Sequence, residues 1–468
     1  MLNDLGTQPA SDEEQMTTSA DHMSTRSDHP AVQKYLRTPR LKESQKVLDH
    51  NWLRELCLSL GADDCGFVAV DSPHLERYRA KIAKAFPRTK SLISFIVKMN
   101  YDNVRNPARS VANLEFHQSV EETDHIARKL VSKLAEHGVR ATNPSTGFPM
   151  EIDRLGEDEI WVVGHKPVAV AAGLGQMGIN RNVIHPKFGN FILLGTILID
   201  AEISSYSQPI DYNPCFSCKL CVAACPVGAI HSDGYFNFSA CLTHNYREFM
   251  GGFNDWVGQI ADSSSSEKYF EKTSSTETAS VWQSLSFGPN YKAAYCMAVC
   301  PAGDDVIGQF LANKAEFLTE VVKPLQQKEE IIYVSPNTDA EEYVLKRFPH
   351  KTVKRIGSGL KARSIKGFLR ALRSIFQPEK SRGHSVRYHF AFHGSETTEA
   401  TVVIADMRVK VNVGKLEGKP DLRVDADSSA WLKFLNKKST LPVALLTGKI
   451  KLKGSPKHLQ TFGKCFVS

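Results

Sequence analysis

Absent from this 468-residue chain is any apolar run near the roughly 20 residues that a membrane span needs, which excludes an integral helical membrane protein. The first residues carry neither a twin-arginine pair nor the apolar core of an export signal, so the expected location is cytoplasmic. Aromatic residues are missing from positions 1–34, which are rich in Ser, Thr, Asp and Gln. Such a segment buries too little apolar surface to offset its ordering entropy, and residues 1–45 are expected to form a disordered tail. Cysteine is scarce outside one stretch, because seven of the ten lie between Cys215 and Cys300. That clustering argues against a scattered disulfide framework and for a metal site in a reducing compartment. Acidic residues are few at the C-terminal end. Residues 351–468 hold 24 Lys+Arg against 8 Asp+Glu, a balance of +16, while the rest of the chain carries −9 within the overall +7. The asymmetry fits either an anionic partner or simply a basic, well-solvated domain.

What is present is otherwise ordinary for globular chains: 42% hydrophobic and 23% charged residues, in a length that suggests two to four domains. Leu48 to Leu60 has helical apolar spacing and is followed by Gly61, a C-cap residue. Cys65 to Val70, Ser91 to Val97, Trp161 to Val163 and Phe191 to Ile199 have strand patterns, and Glu121 to His137 is an amphipathic helix. This alternation predicts an α/β or α+β domain over 46–212. A cysteine-rich module follows over 213–310, with a Ser/Thr/Glu-rich inserted loop at 262–280. Residues 311–383 form an α/β extension and linker, with a strand at Glu330 to Val334 and a helix at Ala340 to Arg347. From Val386 the pattern turns to strands (VRYHFAFHG, ATVVIADMRVKVNVG, VALLTGKIKLKG) with one helix near Ser428 to Leu435, a separate small α+β domain over 384–468. No internal repeat is evident.

The strongest chemical signal is Cys215-x2-Cys218-x2-Cys221-x3-Cys225-Pro226. This is the spacing of bacterial ferredoxins, in which three thiolates wrap one [4Fe–4S] cluster and the fourth serves another. Zinc is the competing metal, but zinc sites more often use two separated cysteine pairs. Cys300, in Cys296-x3-Cys300-Pro301, would complete the first cluster. A second cluster would take Cys225, Cys241 and Cys296. That is one thiolate short, because Ala293 stands where a Cys-x2-Cys pair with Cys296 needs cysteine. The second site is therefore a [3Fe–4S] centre, a cube with a non-cysteine ligand such as His244, or absent. Cys57, Cys65 and Cys465 have no partner at ligand spacing and are read as packing residues.

Ahead of the cysteines stand Gly173-Leu174-Gly175-Gln176-Met177-Gly178, His185-Pro186-Lys187-Phe188-Gly189-Asn190 and Gly195-Thr196-Ile197-Leu198-Ile199-Asp200. A Gly-x-Gly-x-x-Gly spacing alone could suggest a dinucleotide, but the βαβ context is missing, and Asp200, the acidic residue about 20 positions on, lies at a strand end. Together with Asn100-Tyr101 and Phe116-His117, the arrangement resembles the corrinoid-dependent iron–sulfur reductases, that is, reductive dehalogenases and epoxyqueuosine reductases, over roughly 48–310. The resemblance implies a base-off cobalamin over the α/β domain, reduced by a nearby cluster. It also implies that Gly173, Gly175 and Gly178 let backbone approach that cofactor. Tyr101, His117 and His165 are the candidate proton donors. Two features depart from the epoxyqueuosine group: no Asp stands in Gly164-His165-Lys166-Pro167, and the helical repeats that help hold tRNA are missing.

The C-terminal run Val409 to Gly414, Pro420 to Val424, Trp431 to Leu435 and Ala444 to Gly454 resembles a sterol carrier protein-2 (SCP2) domain, which implies an apolar tunnel for lipid-like molecules. Leu435, Leu445, Leu446 and Phe462 are the candidate lining residues. The basic amphipathic helix Ser364 to Phe376 is read as a cap on its own domain rather than as a peripheral membrane contact. The leading expectation is a reductase that passes electrons from an external donor (ferredoxin, flavodoxin or a reductase) through its clusters to a corrinoid, and so to a hydrophobic substrate, with halogenated compounds among the candidates. The alternative is a ferredoxin-like carrier with a lipid-binding appendage and no corrinoid. Stable nucleic-acid binding is not expected.

Overall fold

The computed structural model describes residues 29–37, 47–150, 161–215, 217–357, 362–436 and 438–467. Of the tail expected over 1–45, only 29–37 are described, and they hold a short helix, Pro30–Arg37; the rest lies outside the described residues.

Helix α1 (His50–Ser59) starts where the Asp49 side chain accepts the Trp52 N–H and ends before Gly61, whose φ of +111° suits the reversal. It leads into β1 (Asp64–Ala69), then β2 (Ser91–Lys98), the short helix α2 (Tyr101–Arg105), the 28-residue helix α3 (Arg109–Glu136), β3 (Ala141–Thr142), α4 (His165–Ala171) and β4 (Ile192–Ile199). The strands form one sheet in the order β1-β2-β4-β3, antiparallel throughout, so this unit is α+β rather than parallel α/β. Ile93, Phe95 and Val97 face α3, while Leu92 and Leu198 pack towards α4. Both faces of β2 and β4 are therefore covered, which is why these strands read as continuous apolar runs. Trp161 to Val163, expected as a strand, is instead a bend leading into α4.

The cysteine module contains α5 (Leu220–Ala224), α6 (Phe238–Asn245), α7 (Gly251–Ala261), α8 (Ser266–Lys272), α9 (Ser275–Phe287) and α10 (Tyr295–Ala298). The expected loop at 262–280 is thus largely helical. Ser265 caps α8, and Ser274 with Glu277 forms a capping box on α9; the Ser/Thr/Glu content that suggested a loop is helix N-cap chemistry. A parallel pair, β5 (Ile331–Val334) and β6 (Thr352–Arg355), flanks α11 (Asp339–Arg347).

The C-terminal unit opens with α12 (Ile365–Ile375) and continues through β7 (Val386–His393), β8 (Thr398–Ala405), β9 (Arg408–Val413), β10 (Leu422–Asp427), α13 (Ser428–Leu435), α14 (Leu441–Leu446), β11 (Ile450–Gly454) and α15 (Pro456–Cys465). Its sheet runs β9-β8-β7-β10-β11, with β7–β10 parallel. Asp406 and Met407 both have positive φ, +50° and +57°, as a two-residue hairpin turn requires. The VALLTG segment, read as strand, is helical: Pro442 sits in the first turn of α14, where its missing N–H costs nothing. Ile365, Phe368, Leu369, Leu372 and Ile375 of α12 are buried in the unit's own core, so the basic helix has no apolar face left for a membrane. Among the described residues no helix is long and apolar enough to cross one.

This unit docks on the cysteine module. Helix α12 packs against α6, the Tyr235 hydroxyl donates to the Phe376 carbonyl at 3.0 Å, and the Asp339 carboxylate accepts the Glu379 and Lys380 N–H groups.

Candidate functional site

Cys215, Cys218, Cys221 and Cys300 line one small enclosed space. Ser217 and Lys219 have φ of +51° and +52°, and these left-handed residues coil the loop so that successive cysteines turn inward. The Ile179 N–H lies 3.4 Å from the Cys215 sulfur. Burial pushes the Cys221 thiol well up, and Cys296, Cys300, Cys218 and Cys215 add to the shift; burial also takes Cys300 up to about 12. Thiolates gathered this closely would repel one another, and a bound iron centre would offset that charge. The donor set fits a four-iron cube.

The Cys300 arm is braced from the first domain. The Asp304 and Asp305 N–H groups bond the Pro186 and Lys187 carbonyls at 2.9 and 3.0 Å. A Cβ on Gly189 would stand 1.8 Å from the Ala302 oxygen. The same turn is held by His185, whose Nδ1 accepts the Lys187 and Phe188 N–H groups and whose Nε2 donates to Asp64 at 3.1 Å. Burial raises the Asp64 pKa, but His185 and Arg54 outweigh it and hold the carboxyl below its usual range. The His185–Gly189 motif thus positions the arm that carries Cys300, a candidate cluster ligand.

Cys225, Cys241 and Cys296 meet in the wall of a much larger cavity of about 730 Å³, which Ala293 and His244 also line. Cys225 accepts the Ala229 N–H at 3.2 Å, and the Val227, Ile230 and Gly228 N–H groups further favour its thiolate against the burial that raises it. Cys296 is pushed up to about 12 by burial, with Cys225 adding to it. This second group offers three thiols where a four-cysteine cube needs four. His244 is fully buried and held neutral, at about 3, by burial and by Lys292 and Lys351. Its Nδ1 accepts the Tyr333 N–H, and its Nε2 has no partner among the described residues.

Across the cavity lie His165 and Lys166 of α4, Asn180 to Val183 and Ile192 to Leu194, with Trp161 and Phe238 exposed at its edge. His165 lines the cavity but has no proton to give. Its Nε2 must donate to the Ser145 carbonyl at 3.0 Å, which leaves Nδ1 to accept from the Thr196 hydroxyl at 3.0 Å. Lys166 Nζ reaches the Arg181 carbonyl and Asn182 Oδ1 at 2.7 and 2.9 Å, and burial lowers its pKa.

The other two proposed donors lie away from the cavity lining. The Tyr101 ring packs on Phe191 and beneath Arg105, whose guanidinium lies 5.0 Å away and donates to the Ala298 carbonyl of α10. His117 donates from Nε2 to the Pro289 carbonyl at 3.0 Å, one turn from Asn113, which pairs with the Tyr291 backbone. Both residues brace the segment that carries Cys296. Gly173, Gly175 and Gly178 do not approach the cavity either. A Cβ there would strike the Gln208 oxygen at 2.5 Å, the Ile184 oxygen at 2.4 Å and the Ile184 Cδ1 at 2.6 Å, so these glycines serve close packing of their own turn.

Sequence reasoning missed Tyr246 and Tyr291. Both line the cavity, burial raises both hydroxyls above the ordinary range, and neither hydroxyl has a hydrogen-bond partner among the described residues. In the C-terminal unit, Phe462 joins Phe368, Tyr388, Phe390 and Trp431 in an aromatic core with ring centroids 5.2–6.4 Å apart. Leu435 packs at its margin. Leu445 and Leu446 are 37% and 88% exposed, so neither lines an interior.

Two family models match: a 4Fe-4S binding domain over residues 209–231 and the SCP-2 sterol transfer family over 374–467. Among curated proteins, the epoxyqueuosine reductase of Lactococcus garvieae is 30% identical over 26% of this chain and 33% of its own length. That of Cellulophaga algicola is 24% identical over 43% of this chain and 70% of its own. The chain spans about a third of the length of the first of these. The solved epoxyqueuosine reductase of Streptococcus thermophilus aligns with a TM-score of 0.34 at 18% identity, over 58% of this chain and 75% of that one. A catabolic reductive dehalogenase aligns with a TM-score of 0.30 at 18% identity, over 38% of this chain and 25% of that one. The chain therefore carries a segment similar to epoxyqueuosine reductases, a 4Fe-4S binding domain within it and a C-terminal SCP-2 family domain.

Proposed function

We propose that the protein is a reductase: Cys215, Cys218, Cys221 and Cys300 would hold one iron–sulfur cluster and Cys225, Cys241 and Cys296 a second beside the 730 Å³ cavity, and these groups would supply the electrons for reduction of an electrophilic carbon centre bound there. The observation that carries this reading is the placement of Cys225, Cys241 and Cys296 in the cavity wall. A ferredoxin-like carrier needs an exposed cluster edge for its partner; a large interior space against a cluster is what a substrate or a second cofactor needs.

A corrinoid would lie against the apolar Ile192, Leu193 and Leu194, with the Cys225, Cys241 and Cys296 thiols in the same lining. Bound there, it would supply a strongly reducing cobalt centre. The chain's own groups then divide the remaining work. Lys166 and Arg181 sit where an anionic substituent would be held, Trp161 and Phe238 offer flat apolar surface at the rim, and Tyr246 or Tyr291 supplies a proton from its unpartnered hydroxyl. The curated relatives are named epoxyqueuosine reductases, which favours a strained carbon–oxygen bond over the carbon–halogen bond expected from the sequence. A cationic and aromatic rim also suits a nucleoside in RNA, so RNA returns as a candidate partner.

The C-terminal domain, docked through α12 on α6, would present a hydrophobic ligand beside the same rim. The test is anaerobic cobalamin titration of the iron-loaded protein, followed by optical spectroscopy. Saturable binding with a base-off spectrum supports the reading. Absence of binding, with intact clusters, would return the protein to the electron-carrier class. Salt-dependent binding of an anticodon stem-loop would separate an RNA substrate from a free small molecule.

A further inference from the structure

The two cysteine segments are structural repeats. Cys218, Lys219, Leu220 and Cys221, followed by Cys225-Pro226, align with Ala293, Ala294, Tyr295 and Cys296, followed by Cys300-Pro301. Each has a left-handed residue before its short helix: Lys219 at φ 52°, ψ 19° before α5, and Ala294 at φ 55°, ψ 22° before α10. Helices α5 and α10 pack together, and each is followed within two residues by a cysteine, Cys225 or Cys300, that would serve the other repeat's cluster. The backbone at 293 is therefore built as it is at Cys218, and only the sulfur is gone. The Asn245 side chain holds this position firmly, its Oδ1 accepting the Ala293 N–H at 2.9 Å.

His244 is the nearest candidate to replace the missing thiolate, since its Nε2 is buried, unpartnered and on the same cavity wall. Its hydrogen bonding excludes that role. The Tyr333 N–H points at Nδ1 from 3.3 Å, so Nδ1 is the acceptor and the ring proton sits on Nε2. A nitrogen that carries a proton donates a hydrogen bond and cannot coordinate iron.

We infer that the second cluster is a three-iron [3Fe–4S] centre held by Cys225, Cys241 and Cys296, with its missing corner at Ala293 and with His244 Nε2–H donating to a cluster sulfide. Each of three irons then has one thiolate, and no cysteine among the described lining residues is left to anchor a fourth. The donor bond would raise the cluster's potential. This inference rests on the chain binding two clusters, and the experiment separates the two claims.

The protein is purified anaerobically, assayed for iron and sulfide, and examined by EPR when oxidised and when reduced. The expected result is about seven irons per chain, with a near-isotropic three-iron signal in the oxidised protein that survives incubation with ferrous iron and reductant. Ala293→Cys should lose that signal and gain about one iron, while the reduced four-iron signal of the first cluster, as a check on folding, stays unchanged. His244→Ala should keep the iron count and lower the potential of the three-iron centre. Conversion of the unaltered protein to two four-iron clusters by ferrous iron would overturn the inference, as would loss of iron in His244→Ala. A first-cluster signal with no second would overturn it while leaving the first assignment intact, and absence of any iron would overturn both.

Discussion

The turn at Gly189 makes the sharpest test of how the first domain holds the cluster. Gly189 has φ +62°, and a Cβ built on it would stand 1.8 Å from the Ala302 carbonyl oxygen and 2.9 Å from its carbon. Both obstacles are backbone, two residues beyond Cys300, so no side chain can swing aside. In Gly189→Ala the left-handed backbone costs about 1–2 kcal/mol. Prising the Ala302 segment away adds about 1–3 kcal/mol of overpacking, so the total is roughly 2–5 kcal/mol. The displaced atoms adjoin the fourth ligand of the first cluster, so iron retention should fall with stability. Gly234→Ala is the matched control. Its φ is +89°, it lies in the neighbouring cysteine module, and nothing stands within 4 Å of the added Cβ, so only the backbone cost applies. Denaturant unfolding of both variants, with iron per chain and the optical spectrum, gives the comparison. Equal destabilisation of the two, with full iron in each, would refute the claim that this turn wedges the Cys300 arm in place.

Three further outcomes follow from the same geometry. Tyr246→Phe should reduce turnover of any accepted substrate by about 10²-fold or more while iron content and unfolding midpoint stay unchanged; activity equal to the parent would remove Tyr246 as donor. Because the Asp64 carboxyl is held below its usual value by His185 and Arg54, its contribution is present above the ordinary carboxylate pKa near 3.9 and is lost as pH falls through the depressed folded value. Its quarter exposure limits this to about 1 kcal/mol, and Asp64→Asn should flatten the stability–pH curve below about pH 4 relative to the parent. Phe462→Ala should cost about 3–5 kcal/mol as an aromatic core residue, whereas Leu446→Ala, at an exposed site, should fall within about 0.5 kcal/mol of the parent. Equal effects in calorimetry would contradict the burial argument.

What the sequence made legible was local. Cysteine spacing is set by the few residues that wrap a cluster, so Cys215, Cys218, Cys221 and the proline-flanked Cys225 and Cys300 could be paired before any coordinates. The strands and helices with strong apolar periods, Ser91–Lys98 and Ile365–Ile375 among them, were equally plain. What failed was orientation across the fold. Tyr101 and His117 stand beside the expected motifs in sequence, yet their rings turn to Phe191 and to the Pro289 carbonyl, contacts about 90 and 170 residues away in the chain that no spacing rule encodes. His165 does reach the cavity, but a threonine and a distant carbonyl consume both ring nitrogens. The glycines at 173, 175 and 178 were read as room for a cofactor because a missing Cβ looks the same whether it faces a ligand or a neighbouring strand. Tyr246 and Tyr291 had no motif to announce them; they share a wall only because α6 and the segment before α10 converge. The repeat relating Cys218 to Ala293 was hidden for the opposite reason, since the lost cysteine erased the letter while the left-handed turn at Ala294 kept the shape.

The central claim is that the cluster cysteines deliver electrons into the large cavity rather than to a surface partner alone. Anaerobic purification with cobalamin supplied, followed by cobalt and iron quantification and an optical spectrum, tests it most directly. Near-stoichiometric cobalt with a base-off corrinoid spectrum, abolished when the cavity is narrowed by Leu193→Trp but with iron unchanged, is the predicted result. Full iron with no cobalt retained under any loading condition would contradict it.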